Sequence, residues 1–211
     1  MEEAAAGGQK NPMLAAGLSL ILPGLGHYYA GETYKAFSYA GFDALAWYGH
    51  WFTQKEETEL MDYAKIYAKR YAGAVTADEQ DDLYLEWLYD YISSDAYNQE
   101  VQLSGKNIYG DVTSTEYLNY VNNNSIAAAD SWNWVSQQHR QRYGDIRFES
   151  RQYGKYNLYV STALVLNRLV SAIDAARAVR AYNRNKESKF SWHLEYLPAQ
   201  NAHGITFRYR F

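Results

Sequence analysis

At 211 residues the chain is long enough for one ordinary domain, or for a small membrane unit carrying a soluble insertion, and either can bury a core. A formal net charge of -4 gives no electrostatic footprint for nucleic acid, and the absence of cysteine excludes a disulfide framework, a thiolate metal site and a cysteine nucleophile. Aromatic residues make up 17%, with 22 Tyr and 6 Trp, which favours a surface or envelope protein because amphipathic rings settle where apolar meets wet.

The chain opens "MEEAAAGGQ", acidic and then small, without the basic n-region of a secretory signal, and residues 1–10 are expected to be a flexible N-terminus. Two readings stay open: the first apolar segment is its own insertion signal, or a leader has been removed. From Asn11 to Gln54 the only charges are Glu32, Lys35 and Asp43, although mean hydropathy for the whole chain is -0.52. This predicts an apolar helical hairpin over 11–54, each arm close to the roughly 20 residues of a spanning helix. Pro23, Gly24 and Gly26 break its first arm. Small residues Ala15, Ala16, Gly17, Ser19, Gly24 and Gly26 would let another helix approach, and His27, Tyr28 and Tyr29 read as an interfacial collar. The alternative for this stretch is a buried core helix of a soluble protein.

The polar, Tyr-rich stretch over 55–151 is predicted to be a soluble insertion of two to four helices. "TELMDYAKIYAKRYAG" sets Tyr63, Tyr67 and Tyr71 on one helical face. "TADEQDDLYLEWLYDYIS" opens with a capping box, Thr76 and Glu79, and carries Tyr84, Trp87 and Tyr91; a second box is Thr113 with Glu116, and Asp130 can cap the stretch after it. "SGKNIYGD" and "NNNS" read as loops. The aromatic positions Tyr63, Tyr67, Tyr71, Tyr84, Trp87 and Tyr91 are a candidate interaction face, while helical spacing equally explains them as a small core.

Residues 152–186 are predicted to form a third apolar helix. On it Asn167, Ser171 and Asp174 fall in a narrow sector with Arg168 about 100° away, and Asp43 sits near the middle of the second arm. Ionisable groups at membrane depth face the bundle interior, so these five positions read as a polar network: a clamp fixing helix register, or an ion path. The "LPGLG" break is expected to pack against this helix, with Arg168 satisfied by Asp43, Asp174 or carbonyls freed at the break. In the tail, 187–211, "SWHLEYLP" and "GITFRYRF" alternate around a turn from Pro198 to Gly204 and predict a β-hairpin.

"NPMLAAGLSLILPGLGHYYAGETYKAF" resembles the signature of uncharacterised small membrane proteins of the Gram-negative bacterial envelope, families of unknown function in which such a hairpin precedes a soluble insertion and a third helix. The likeness covers Asn11 to about Phe52 and Tyr156 to about Asn183 and departs at His27, where those families usually carry Gln. It implies location and architecture, with no activity attached.

No dinucleotide, phosphate-loop, calcium-loop or zinc motif is present, and the five histidines are scattered. The sequence therefore predicts a mainly α protein of the envelope, leaning to the outer membrane or periplasmic face. It is expected to be non-enzymatic, without cofactor or nucleic acid, with a lipid membrane and protein partners or a second copy around it. A small channel or transport-associated protein is the alternative, and a soluble helical protein with a buried hairpin the second.

Overall fold

A computed structural model describes residues 8–186 with their side chains and the backbone of 187, 190–197 and 202–209. The fold is mainly helical, with seven α-helices among the described residues. In chain order these are α1 (Pro12–Ile21), α2 (Leu25–Ala30), α3 (Thr33–Ala72), α4 (Asp82–Asp90), α5 (Ser94–Tyr109), α6 (Thr115–Asn124) and α7 (Gln137–Glu187). Residues 1–7 of the expected N-terminal extension and residues 198–201 of the expected C-terminal turn lie outside the described residues.

The chain divides into two compact units, Met1–His50 with Leu158–Phe211, and Trp51–Asn157. The divisions fall a few residues from the composition changes near Lys55 and Lys155, inside α3 and α7 rather than in loops. Helix α3 runs unbroken for 40 residues because nothing between Tyr34 and Ala72 is a proline and its glycines tolerate helical backbone.

In the first unit, α1 starts where Asn11 Oδ1 accepts from the amides of Met13 and Leu14, with Pro12 in the first turn where its missing N–H costs nothing. It stops at Ile21, ahead of Pro23. At 10 residues it is about 15 Å long, half the hydrocarbon thickness of a bilayer, so the first arm is not one spanning helix. Its continuation, α2, has 6 residues between Gly24 and Gly31, both at positive φ. Ala15, Ala30, Ala175, Ala178 and Val179 form a small-residue core, so α1, α2 and α7 pack at close range.

In the second unit, Tyr84, Leu85, Leu88, Trp132, Trp134, Tyr143 and Ile146 fill a core against the alanines of α3. Each buried aromatic donor finds a carbonyl: Trp134 Nε1 donates to Leu88 O at 2.7 Å, Tyr143 Oη to Leu85 O at 2.9 Å and Tyr84 Oη to Asp130 O at 2.8 Å. Residues 132–135 form an extended strap. Its amides donate to Ala72 O, Ile92 O and Tyr71 O, while Trp132 O accepts from Ser94 N.

Several local expectations are corrected. Helix α4 is capped by Asp81, whose carboxylate accepts from Tyr84 N, rather than by Thr76, because residues 76–80 turn before the helix begins. Ser114, not Thr113, caps α6; Thr113 instead donates through both its amide and its hydroxyl to Asp111. Asp130 ends a short 3-10 turn and accepts from Gln80, and Ser136 Oγ accepts from His139 N at the start of α7. "SGKNIY" and "NNN" are helical, in α5 and α6, since their polar residues line solvent faces of helices whose other faces carry Val101, Tyr117 and Tyr120.

Candidate functional site

The break after α1 shows how the polar network is assembled. Helix α1 ends at Ile21 and α2 begins at Leu25, so the break frees last-turn carbonyls and first-turn amides alike, and it is the amides that side chains take up. Hydroxyls accept from them: Ser171 Oγ from Gly24 N at 3.0 Å, and Ser19 Oγ from Gly26 N at 3.1 Å, all buried. The "LPGLG" break therefore packs on α7 as expected, but through amides and serines, and Arg168 is not drawn to it. A Cβ on Gly26 would lie 2.1 Å from Ala15 O and 2.7 Å from Ala175 Cβ, and one on Gly24 would lie 2.2 Å from Ala36 O. Both positions are held to glycine by backbone approach. Pro23 is itself fully buried.

Three further links tie α3 to α7 within this unit. Arg168 Nη1 lies 3.3 Å from Asp43 Oδ1, and its Nη2 reaches Asp43 Oδ2 at 3.5 Å, while Nη1 also donates to Leu164 O. Asp43 is 4% exposed, so the guanidinium supplies the counter-charge a buried carboxylate needs. Asn167 Nδ2 donates to Tyr39 O at 3.3 Å. Asp174 Oδ2 accepts from His27 Nε2 at 3.0 Å and from Tyr39 Oη at 3.5 Å, and pairs with Lys35 Nζ at 3.2 Å. His27 is fully buried and stacks on the Tyr39 ring at 4.7 Å.

The five polar positions singled out in the sequence thus converge in one unit, but as two clusters. Asp43 and Arg168 form one; Asp174 and Asn167 form the other through Tyr39, with His27 and Lys35, while Ser171 stands apart on Gly24 N. The sequence pattern does not mark His27, Lys35 or Tyr39 as members. His27 looks like a collar residue beside Tyr28 and Tyr29, yet it points inward: Tyr28 is 69% exposed and His27 0%.

Around these clusters, the outward faces are apolar. Met13 and Ile21 on α1, Phe37 and Leu45 on α3, and Val165, Leu169 and Ile173 on α7 are all exposed, whereas Ser19, His27, Asp43, Asn167 and Ser171 are buried. This is the reverse of the usual distribution in water. Among the described residues, α7 is the one helix long and apolar enough to cross a membrane by length and composition.

The aromatic positions of the second unit divide. Tyr84 is in the core and Tyr67, Tyr71, Trp87 and Tyr91 pack against it, while Tyr63 is exposed and meets only the edge of Tyr67 among these rings. Tyr67 Oη lies 2.6 Å from His139 Nδ1, and Tyr71 stacks on the same imidazole at 4.1 Å. A hydrogen bond to the Glu100 carboxylate, with burial, pushes the Tyr91 hydroxyl up to about 12, and burial raises Tyr143 further. These rings hold a core more than they present a platform.

No group of three or more histidines and carboxylates converges to hold a metal ion among the described residues. Compared with known proteins, the chain matches no family model, no curated protein and no solved structure.

Proposed function

We propose that this is a non-enzymatic membrane protein of the bacterial cell envelope that acts as a structural or interaction subunit, with its first unit in lipid. The observation that carries the reading is the inverted surface of that unit, apolar side chains outward and ionisable ones inward. Exposed as it is, that surface would draw the unit out of water, at about 25 cal/mol for each Å² of apolar area covered. The length and apolarity of α7 support a spanning role for its part in the first unit, from Leu158 on, with α1 and α2 entering part of the way. The breaks at Pro23 and Gly24 fit that setting, since irregular backbone at membrane depth is tolerated where protein groups satisfy it.

Paired charges favour a structural role over transport: Asp43 ends on Arg168, and Asp174 on Lys35 and His27. The second unit, 51–157, is the water-exposed part that would meet partners. The reading includes a C-terminal β-hairpin, supported by its alternating sequence and by backbone pairing that sets Leu194 opposite Ile205. That terminal strand is also what leans the assignment to the outer membrane or periplasmic face. Alkaline carbonate extraction of cells expressing the full chain tests the reading. The chain stays in the membrane pellet and needs detergent for release; release by carbonate alone overturns it.

A further inference from the structure

Three neighbouring grooves lie along α7 in the first unit, successive ones sharing lining residues, and their chemistry changes along the helix. The largest, about 450 Å³, lies between α3 and α7 and is lined almost wholly by carbon from Phe42, Ala163, Leu166 and Val170, with Tyr39 and Asn167. Asn167 spends one of its amide N–H donors on Tyr39 O, so it brings little polarity to that groove. Tyr39 and Val170 also line the next groove, with Asp174 and Arg177, and Arg177 with Arg180 borders a third, free of carboxylates, together with Ala16 and Ala176. The row is apolar at one end and cationic at the other.

Neither Arg177 nor Arg180 has an ion-pair partner among the described residues, and Asp174, the nearest carboxylate on the helix, is taken up by Lys35, His27 and Tyr39. From Ala163 to Arg177 the helix rises about 21 Å, which is the extended reach of a long acyl chain and rather more than half of a bilayer's hydrocarbon thickness. A guanidinium pair at one end of an apolar trough matches an amphiphile with a negative head and a single long chain lying against the protein. It matches a zwitterionic or purely apolar occupant less well, because the arginines would face no net charge.

We propose that the first unit holds one anionic phospholipid, with an acyl chain in the α3–α7 groove and its phosphate at Arg177 and Arg180. The proposal rests on the membrane reading above and names the lipid class that this surface selects. A basic side chain near the membrane surface raises affinity for anionic lipid on the order of fivefold, so two give roughly 25-fold. Lys35 sits on the Asp174 side and is committed to Glu32 and Asp174, so it is not counted.

The test is native mass spectrometry of the full chain in detergent micelles, supplied with equal amounts of phosphatidylglycerol and phosphatidylcholine of matched chains. The expected spectrum shows one retained phosphatidylglycerol, favoured at least tenfold. The double variant Arg177→Gln/Arg180→Gln, two surface positions whose loss leaves the helix intact, should retain both lipids equally. Val170→Trp, which fills the groove, should lose retention of either, with unchanged helical circular dichroism as the folding check. Equal retention by the unaltered chain, or a preference that survives the double substitution, overturns the proposal. So does complete displacement by millimolar inorganic phosphate, which would mean that the arginines bind an anion without the groove. A chain that stays in carbonate-washed membranes yet shows no lipid preference refutes this proposal alone, whereas one released by carbonate refutes it together with the membrane reading.

Discussion

Gly24 and Gly31 offer a matched pair that isolates close helix approach from backbone strain. Their φ angles are 94° and 96°, so replacing either by Ala places a side chain in the same unfavourable backbone region, at roughly 1–2 kcal/mol. The surroundings differ. A Cβ at Gly31 meets nothing nearer than Lys10 Nζ at 3.9 Å, whereas at Gly24 it would lie 2.2 Å from Ala36 O and 3.0 Å from Ala36 C, backbone atoms that cannot rotate away. Overpacking of that kind typically adds about 1–3 kcal/mol. Moving the break off α3 also stretches the Gly24 N to Ser171 Oγ bond, 3.0 Å in the folded protein, worth about 0.5–1.5 kcal/mol more. Gly24→Ala is therefore expected to cost about 3–6 kcal/mol and Gly31→Ala about 1–2. Reversible unfolding in mild detergent, followed by circular dichroism, reads the difference. Equal losses for the two variants would show that the break does not rest on α3 and Ser171 as described.

Arg168→Leu strands the buried Asp43 carboxylate and should destabilise the first unit by about 3 kcal/mol, at the low end for a broken buried pair because the guanidinium is partly exposed, while Arg180→Leu should leave stability nearly unchanged; the same unfolding assay separates them. Asp81→Ala removes the side-chain acceptor at the start of α4 and should cost about 1 kcal/mol, measurable by denaturant unfolding. Tyr91 and Tyr143 hold their protons to higher pH when folded than the unfolded value of about 10. The stability they carry is complete below that pH and is lost as pH rises through the folded values. Phenolate absorbance during alkaline titration should therefore show a late component that appears only with loss of helix; complete, non-cooperative ionisation before the helix is lost would contradict the described core.

How much of this was legible in the residues depends on the physical cause of each feature. The turn at Pro23 and Gly24 could be read because proline and glycine act on the backbone locally, and the sector of Asn167, Ser171 and Asp174 because helical spacing alone places them together. Their partners could not. Lys35 and Tyr39 meet Asp174, and Ser171 meets Gly24 N, only once α2 and α3 pack on α7, across 135 or more positions of sequence. His27 was hidden because an aromatic collar and a buried ring share the same neighbours in the chain. In the second unit the error ran the other way. A capping-box pattern at Thr76 competed with Asp81, and the helix began immediately after the residue whose carboxylate could reach the amide of Tyr84. "SGKN" looked like a loop because Gly105 lowers helix propensity, yet its lack of a side chain lets Tyr117 and Tyr120 of α6 close on α5.

The central claim is that the outward face of the first unit lies in lipid while its polar side chains lie inside. The chain has no cysteine, so single substitutions Leu45→Cys, Leu169→Cys and Ile173→Cys can each carry one nitroxide without background. In vesicles, electron paramagnetic resonance compares collision with oxygen, which concentrates in hydrocarbon, and with a water-soluble nickel chelate. The account predicts oxygen-dominated relaxation at all three sites and chelate-dominated relaxation at an exposed second-unit position such as Leu118→Cys. Chelate-dominated relaxation at Leu45, Leu169 and Ile173 would place that apolar face in water and contradict the claim.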